Sequence, residues 1–221
     1  MSTLVGRIDL EIEKSSLLKH NFYKMWSEGK LSLDHLQGYS KEYFQLVNAV
    51  PSFLQNIISS PIIDESTKKD IDQSLEEELQ HIEPWIRFAT AIGVPRNQLV
   101  NHAAADKTKG AVFDLSCLST RSLEEAAAAM YAYEMQLPEI SRSKIDGLHK
   151  FYGIGKNNKD ATNYFEIHEE ADKIHAQIWR NIIQRTNVKD EEAVLNAAIM
   201  SLQAQNKLLD SVQERYLSAY N

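Results

Sequence analysis

Apolar residues recur at three- and four-residue steps along nearly the whole chain, the period of helices buried on one face. From Leu33, the positions Leu36, Tyr43, Val47, Val50, Leu54 and Ile57 keep one apolar face through Pro51. This predicts a long helix kinked at the proline. Asp64 reads as an N-cap for a second helix through Leu75, Leu79, Ile82, Trp85 and Ile86, stopped by Gly93 and Pro95. Ser122 and Glu125 fit a capping box ahead of four alanines at 126–129, small enough to let neighbouring helices approach closely. Gly153 and Gly155 end the next helical stretch in a polar loop. A helix over 163–184 follows, and Asp190 caps a last one carrying Ala198, Leu202, Gln205, Leu209, Val212 and Tyr216. No segment alternates with period two. Six to eight helices with short connections predict an all-α bundle, with residues 1–221 forming one domain.

Composition narrows the class without naming a chemistry. Only 8 Gly and 5 Pro occur in 221 residues, in keeping with a mostly helical chain. No apolar run approaches the roughly 20 residues that a bilayer crossing needs. The N-terminal stretch lacks a basic start followed by an apolar core, so neither a membrane span nor a secretory signal is expected. The single cysteine, Cys117, excludes an internal disulfide and suggests a reducing, cytoplasmic setting. It reads as buried filler in a stretch outside the main helices. A formal net charge of −7 argues against nucleic acid as a partner, and no glycine-rich phosphate loop is present.

Chemistry enters at His168, Asp172 and His175. At 3.6 residues per turn these three share one helical face, offering two imidazoles and a carboxylate without sulfur. A solvated polar face would present the same stripe. A second group lies further upstream: Glu77 and Glu78 stand four and three residues before His81, and either can share its face, with Trp85 one turn on. An exposed acidic patch beside a core histidine would read the same way. Glu134 is a third piece, a lone acid in an apolar and aromatic turn, where an unpaired carboxylate is costly to bury. Arg142 and Lys144 are its alternative partners. Together these residues put three carboxylates and three histidines on three helices. Helical bundles that bind two metals use inward carboxylates and acid-x-x-His pairs, and Asp172–His175 has that spacing. Mixed carboxylate and imidazole ligation favours iron or manganese over structural zinc. His20, His35, His102 and His149 have no partners at ligand spacing and read as surface, cap or hydrogen-bonded residues.

Several stretches resemble the heme-oxygenase-like di-metal oxidases, the TenA/PqqC-like fold. Within that superfamily the chain is most similar to the group of the chlamydial death-domain-associating protein (CADD) and its bacterial relatives, which act as 4-aminobenzoate synthases. The matching stretches run from His20 to Trp26, from Leu31 to Tyr39, from His81 to Phe88, from Tyr131 to Glu134, from Pro138 to Leu148 and from Tyr164 to His175. The resemblance implies His81, Glu134, His168, Asp172 and His175 as metal ligands. The family's first glutamate lies seven residues before the histidine, where this chain has Ser74. Glu77 then takes the ligand role, with Glu78 as the alternative. The resemblance also implies a di-iron or iron–manganese pair and O₂ as co-substrate. Tyr23 is implied as the ring donor, Lys144 as the amino donor and Tyr133 as a relay or supporting residue. TenA-like thiaminase and PqqC-like cofactor-free oxidase activities share the fold, and the former needs a cysteine facing the pocket. A non-enzymatic protein-binding role through acidic helix faces is a third reading. A homodimer is compatible with the sequence.

Overall fold

The structure is a computed structural model that describes residues 3–60, 63–154, 158–186 and 188–217. Ten α-helices and no strand occur among these residues. In order they are α1 (Leu4–Lys14), α2 (Asn21–Ser27), α3 (Leu33–Ile58), α4 (Glu65–Ala91), α5 (Arg96–Val100), α6 (Asp106–Ser119), α7 (Leu123–Glu134), α8 (Leu137–Phe151), α9 (Lys159–Arg185) and α10 (Glu191–Val212). Helices α2 and α5 run only 7 and 5 residues. The eight longer helices form the bundle expected from the spacing. None of the described helices is long and apolar enough to cross a membrane.

Local chemistry accounts for the boundaries. Asp64 accepts from the Thr67 amide at 2.9 Å and opens α4, as its position suggested. The capping box forms at α3 instead of α7: Ser32 and His35 satisfy each other's backbone amides. At α7, Ser122 accepts from the Glu125 amide, but Glu125 turns to the Ser122 hydroxyl, leaving the exchange one-sided. His20 caps α2 through Nδ1, which accepts from the Phe22 amide at 3.1 Å. Gly153, at φ +72°, supplies the left-handed turn after α8, while Gly155 lies outside the described residues. Pro51 and Pro84 are accommodated inside α3 and α4. Helix α9 starts at Lys159, earlier than the apolar spacing indicates, and Asp160 sits favourably in its first turn.

Helix α9 is the centre of the assembly, packing against α4, α7 and α8, with α3 behind α4 and α10 behind α7. The alanine stretch of α7 is fully buried, and Ser201 of α10 reaches across to donate to the Ala129 carbonyl at 2.8 Å. Helix α2 closes over α8 at one point of very close approach. A Cβ on Gly147 would lie 2.5 Å from Trp26 Nε1, and that indole N–H donates to the Lys144 carbonyl at 3.2 Å. Gly147→Ala is therefore expected to push Trp26 out of its fully buried seat at a cost of about 1–3 kcal/mol. A lower urea midpoint at unchanged m-value would register it.

Candidate metal centre

Two acid-x-x-His pairs face each other across α4 and α9. On α4 the buried positions Ile71, Ser74, Glu78, His81, Trp85 and Phe88 follow alternating three- and four-residue steps, so Glu78 and His81 point into the bundle together. On α9 the corresponding row is Tyr164, Phe165, His168, Asp172, His175 and Trp179. The packing of α4 on α9 brings these rows together and forms two groups of three ligand atoms. One is Glu78, His81 and His168; the other is Glu78, Asp172 and His175. Within each, the ligand atoms lie within 4.8 Å of one another, and Glu78 belongs to both.

The distances show how the groups are held. Glu78 Oε1 accepts from His81 Nδ1 at 3.2 Å and stands 3.7 Å from His175 Nδ1 and 4.0 Å from His168 Nε2. His168 Nδ1 lies 2.7 Å from the Tyr164 carbonyl. A carbonyl can only accept, so Nδ1 carries a proton and Nε2 is the nitrogen turned toward Glu78. The Tyr164 ring stacks on His168 with centroids 4.0 Å apart, fixing the imidazole plane.

Glu77 is not at this centre. One residue off the buried row, its side chain is 38 % exposed, against 9 % for Glu78. It reaches the outer nitrogen of His175, accepting from Nε2 at 2.8 Å. That contact orients His175 and leaves Nδ1 facing Asp172 and Glu78. Glu134 lies in the same interior but outside both three-atom groups. Its partner is neither Arg142 nor Lys144 but the Trp179 indole N–H, at 2.6 Å.

Three atoms test whether metal fits here. Both Asp172 oxygens and His175 Nδ1 are buried with no hydrogen-bond partner, and Asp172 Oδ1 stands 3.7 Å from that nitrogen. Leaving a buried donor or acceptor without a hydrogen bond costs about 1–3 kcal/mol, and nearly all buried polar groups are satisfied. A cation held between these atoms answers all three at once. The donors are carboxylate and imidazole only, a set suited to iron or manganese.

The electrostatics agree. Burial would raise Glu78, but His81, His168 and His175 hold it below its ordinary value. Burial lifts Glu134 far upward, and Asp172 and Glu78 add to the rise. Burial also opposes charge on His175, yet the carboxylates of Asp172, Glu134 and Glu77 prevail and push it up to about 10. In the metal-free protein the raised value stabilises the fold fully below 6.5 and is lost as pH climbs through about 10. Ligation through Nδ1 must expel that proton. Metal affinity is therefore expected to rise with pH below this value, at least about tenfold per unit. Calorimetry in buffers of different ionisation enthalpy would report proton release on binding, one proton from His175 and more where the raised carboxyl of Glu134 also ligates; no release would contradict the assignment of His175.

Next to the centre lies an aromatic layer. Tyr43, Tyr133 and Tyr164 are all buried, and each has its ionisation pushed up by burial and by the charges of Glu78 and Asp172. Trp85 stacks on Tyr43 at 5.1 Å and meets Tyr39 and Tyr164 edge-on. Beyond this layer the structure brings together Tyr23 of α2 and Lys144 of α8. The Lys144 side chain is buried, with Nζ 5.1 Å from the Tyr23 ring centre, 4.8 Å from Tyr39, and 5.1 Å from both Tyr43 and Phe165. It donates to the Tyr39 hydroxyl and has no carboxylate partner, so burial drives its pKa well below 10.5. No role for Tyr39, Tyr43, Tyr164 or Trp179 at the site was expected from the sequence, although Tyr43 was placed on a buried helical row and Tyr39 and Tyr164 lie in the matching stretches.

A surface groove of about 910 Å³ between α2 and α8 contains none of the clustered residues. Cys117 is exposed on α6, not buried and not outside the helices, so it does not supply the pocket-facing thiol of a thiaminase. His102 and His20 are paired with Glu42 and Asp210, and His35 with Ser32, away from the two clusters.

Comparison with known proteins agrees with this geometry. Residues 37–206 match the family described as iron-containing redox enzymes. The chain is 36% identical over 212 residues to the 4-aminobenzoate synthase of Chlamydia trachomatis, covering 94% of this chain and 90% of that one. It is 32% identical over 232 residues to the 4-aminobenzoate synthase of Nitrosomonas europaea, covering 97% and 93%. A TenA homologue from Pseudomonas syringae shares the fold with a TM-score of 0.79 at 16% identity, covering 96% of this chain and 91% of that one. The chain thus belongs to the iron-containing redox enzymes and is an all-helical oxidoreductase whose buried ligands suit two metal ions.

Proposed function

We propose that this protein forms 4-aminobenzoate from its own Tyr23, with Lys144 as amino donor and O₂ as oxidant, at a centre of two irons or of iron and manganese. Glu78, His81, Glu134, His168, Asp172 and His175 would hold the ions, and Glu77 would orient His175 from outside. When bound, the metals supply the oxidising equivalents of O₂.

The observation that carries the reading is the chamber around Lys144. An amine buried without a counter-ion is shifted toward its neutral, nucleophilic form, and here it faces a buried tyrosine ring. Tyr43, Tyr133, Tyr164 and Trp85 separate this chamber from the ligands and offer oxidisable rings between the two. Their burial also keeps water from the reacting groups. The names of the relatives support the product, and the residues that match them are spread over most of the chain.

The test is genetic. Expression of this chain is expected to restore growth of a bacterium unable to make 4-aminobenzoate. The variants Tyr23→Phe and Lys144→Arg are expected not to restore it at equal protein levels. Rescue by both variants would remove the two residues from the chemistry.

A further inference from the structure

Tyr39 stands between the two groups that the proposed reaction joins. Its hydroxyl accepts from Lys144 Nζ, and the same oxygen lies 3.4 Å from the Tyr23 hydroxyl. Tyr39 is wholly buried, stacked on Phe22 at 5.0 Å and flanked edge-on by Trp26 and Trp85. Its position is thus fixed from several sides. Since its oxygen takes the amine N–H, its own proton is free to point at Tyr23. The amine then keeps its lone pair unengaged, facing the rings.

This arrangement also fixes which end of Tyr23 meets nitrogen. A single bridging hydroxyl connects the amine to the phenolic oxygen, so the amine is tethered at the ring carbon bearing that oxygen and not at the Cβ end. We propose that Tyr39 is the proton carrier that exchanges the Tyr23 oxygen for the Lys144 nitrogen. In that exchange the Tyr23 C–O bond breaks and a C–N bond to Lys144 forms. The oxygen leaves as water, carrying the phenol's own proton and one from the amine. Tyr39 gives its proton to the departing oxygen and takes the replacement from Nζ, and so ends unchanged. The exchange itself is redox-neutral, a phenol and an amine giving a secondary aryl amine and water. The nitrogen then remains joined to Cε of Lys144, and cleavage of that Nζ–Cε bond and of the Tyr23 Cα–Cβ bond draws on the O₂ of the proposed function. Placing nitrogen opposite Cβ accounts for an amino group para to the carbon that becomes the carboxylate.

This inference rests on the function proposed above, and its test separates the two. Metal-loaded protein is exposed to O₂, and 4-aminobenzoate per chain is followed by mass spectrometry. Tyr39→Phe is expected to bind metal as the parent does and to slow product formation about 100-fold or more, the usual scale for losing a proton-transfer group. Its ¹⁵N-lysine spectrum should show the Lys144 amine shifted by loss of its acceptor. Replacing Tyr39 with 3-fluorotyrosine, a more acidic phenol of nearly the same shape, should restore formation and move its pH profile to lower pH. Product formed at the parental rate by Tyr39→Phe would overturn the relay. So would a fluorotyrosine protein with an unshifted pH profile, since packing alone would then explain Tyr39. Tyr23→Phe and Lys144→Arg run alongside: if either still yields product, the underlying reaction fails, and the relay with it. Loss of product in those two, with Tyr39→Phe unaffected, overturns the relay alone.

Discussion

Glu78→Ala is expected to empty both metal positions, taking the ions bound per chain after anaerobic loading from two to near zero by elemental analysis. Its carboxylate is the only ligand common to both groups, within 4.0 Å of ring nitrogens on His81, His168 and His175. Removing it leaves imidazoles without the anion that fixes their orientation and offsets the incoming positive charge. Glu77→Ala provides the contrast. Glu77 acts on His175 from outside, and losing such an orienting partner costs about 10–100-fold in affinity without changing the number of ions. Two ions retained by Glu78→Ala, with loss in Glu77→Ala instead, would reverse the assignment.

Lys144→Met is expected to abolish product and to stabilise the fold. The residue is 3 % exposed, and its amine is surrounded by rings and, among the described residues, hydrogen-bonds through the Tyr39 hydroxyl. Its pKa is depressed below 10.5 by burial, so the unfolded chain binds a proton that the folded chain does not. Stability therefore rises with pH through the window below 10.5, and the native state carries a growing penalty as pH falls through it. Methionine has a similar reach and no charge to desolvate. At neutral pH a gain on the order of 1 kcal/mol or more is expected, growing toward acid until the lysine's folded pKa is passed. Chemical denaturation at several pH values would measure it. Lower stability, or a gain independent of pH, would mean that Lys144 is not held neutral in the native protein.

Much of this was legible in the sequence because helices repeat what they bury. The α9 cluster could be read directly, since His168, Asp172 and His175 occupy one buried stripe while the residues between them are all less buried. The α4 ligands were harder. Three consecutive glutamates at 76–78 give an acid at almost any phase, and only the run from Ile71 through Ser74, His81, Trp85 and Phe88 shows which one faces inward. Glu78 stands three residues before His81, just as Asp172 does before His175, and that shared spacing is the signal that distinguishes it from Glu77. Ser74 sits one turn earlier on the same buried row, where the resemblance places the first glutamate. Its hydroxyl turns back to the Asp70 carbonyl at 3.2 Å, and Glu78 occupies the next inward position. The partners from other helices were not legible. That Trp179 serves Glu134, or that Tyr39 lies between Lys144 and Tyr23, depends on how α2, α3, α7, α8 and α9 pack, which no local pattern encodes.

The burial of Tyr23 also bears on what becomes of the protein afterwards. Its ring packs edge-on against Phe22 and holds α2 to the bundle beside Lys144. If that ring departs as product, the chain is left with a void where an aromatic side chain was, a loss that costs about 3–5 kcal/mol in a typical core. Marginal stabilities of about 5–15 kcal/mol leave little after such a loss. Each molecule would then behave as a dose instead of a catalyst, its output set by the rate of synthesis. The spent form would be the less stable one, open to the proteases that clear it.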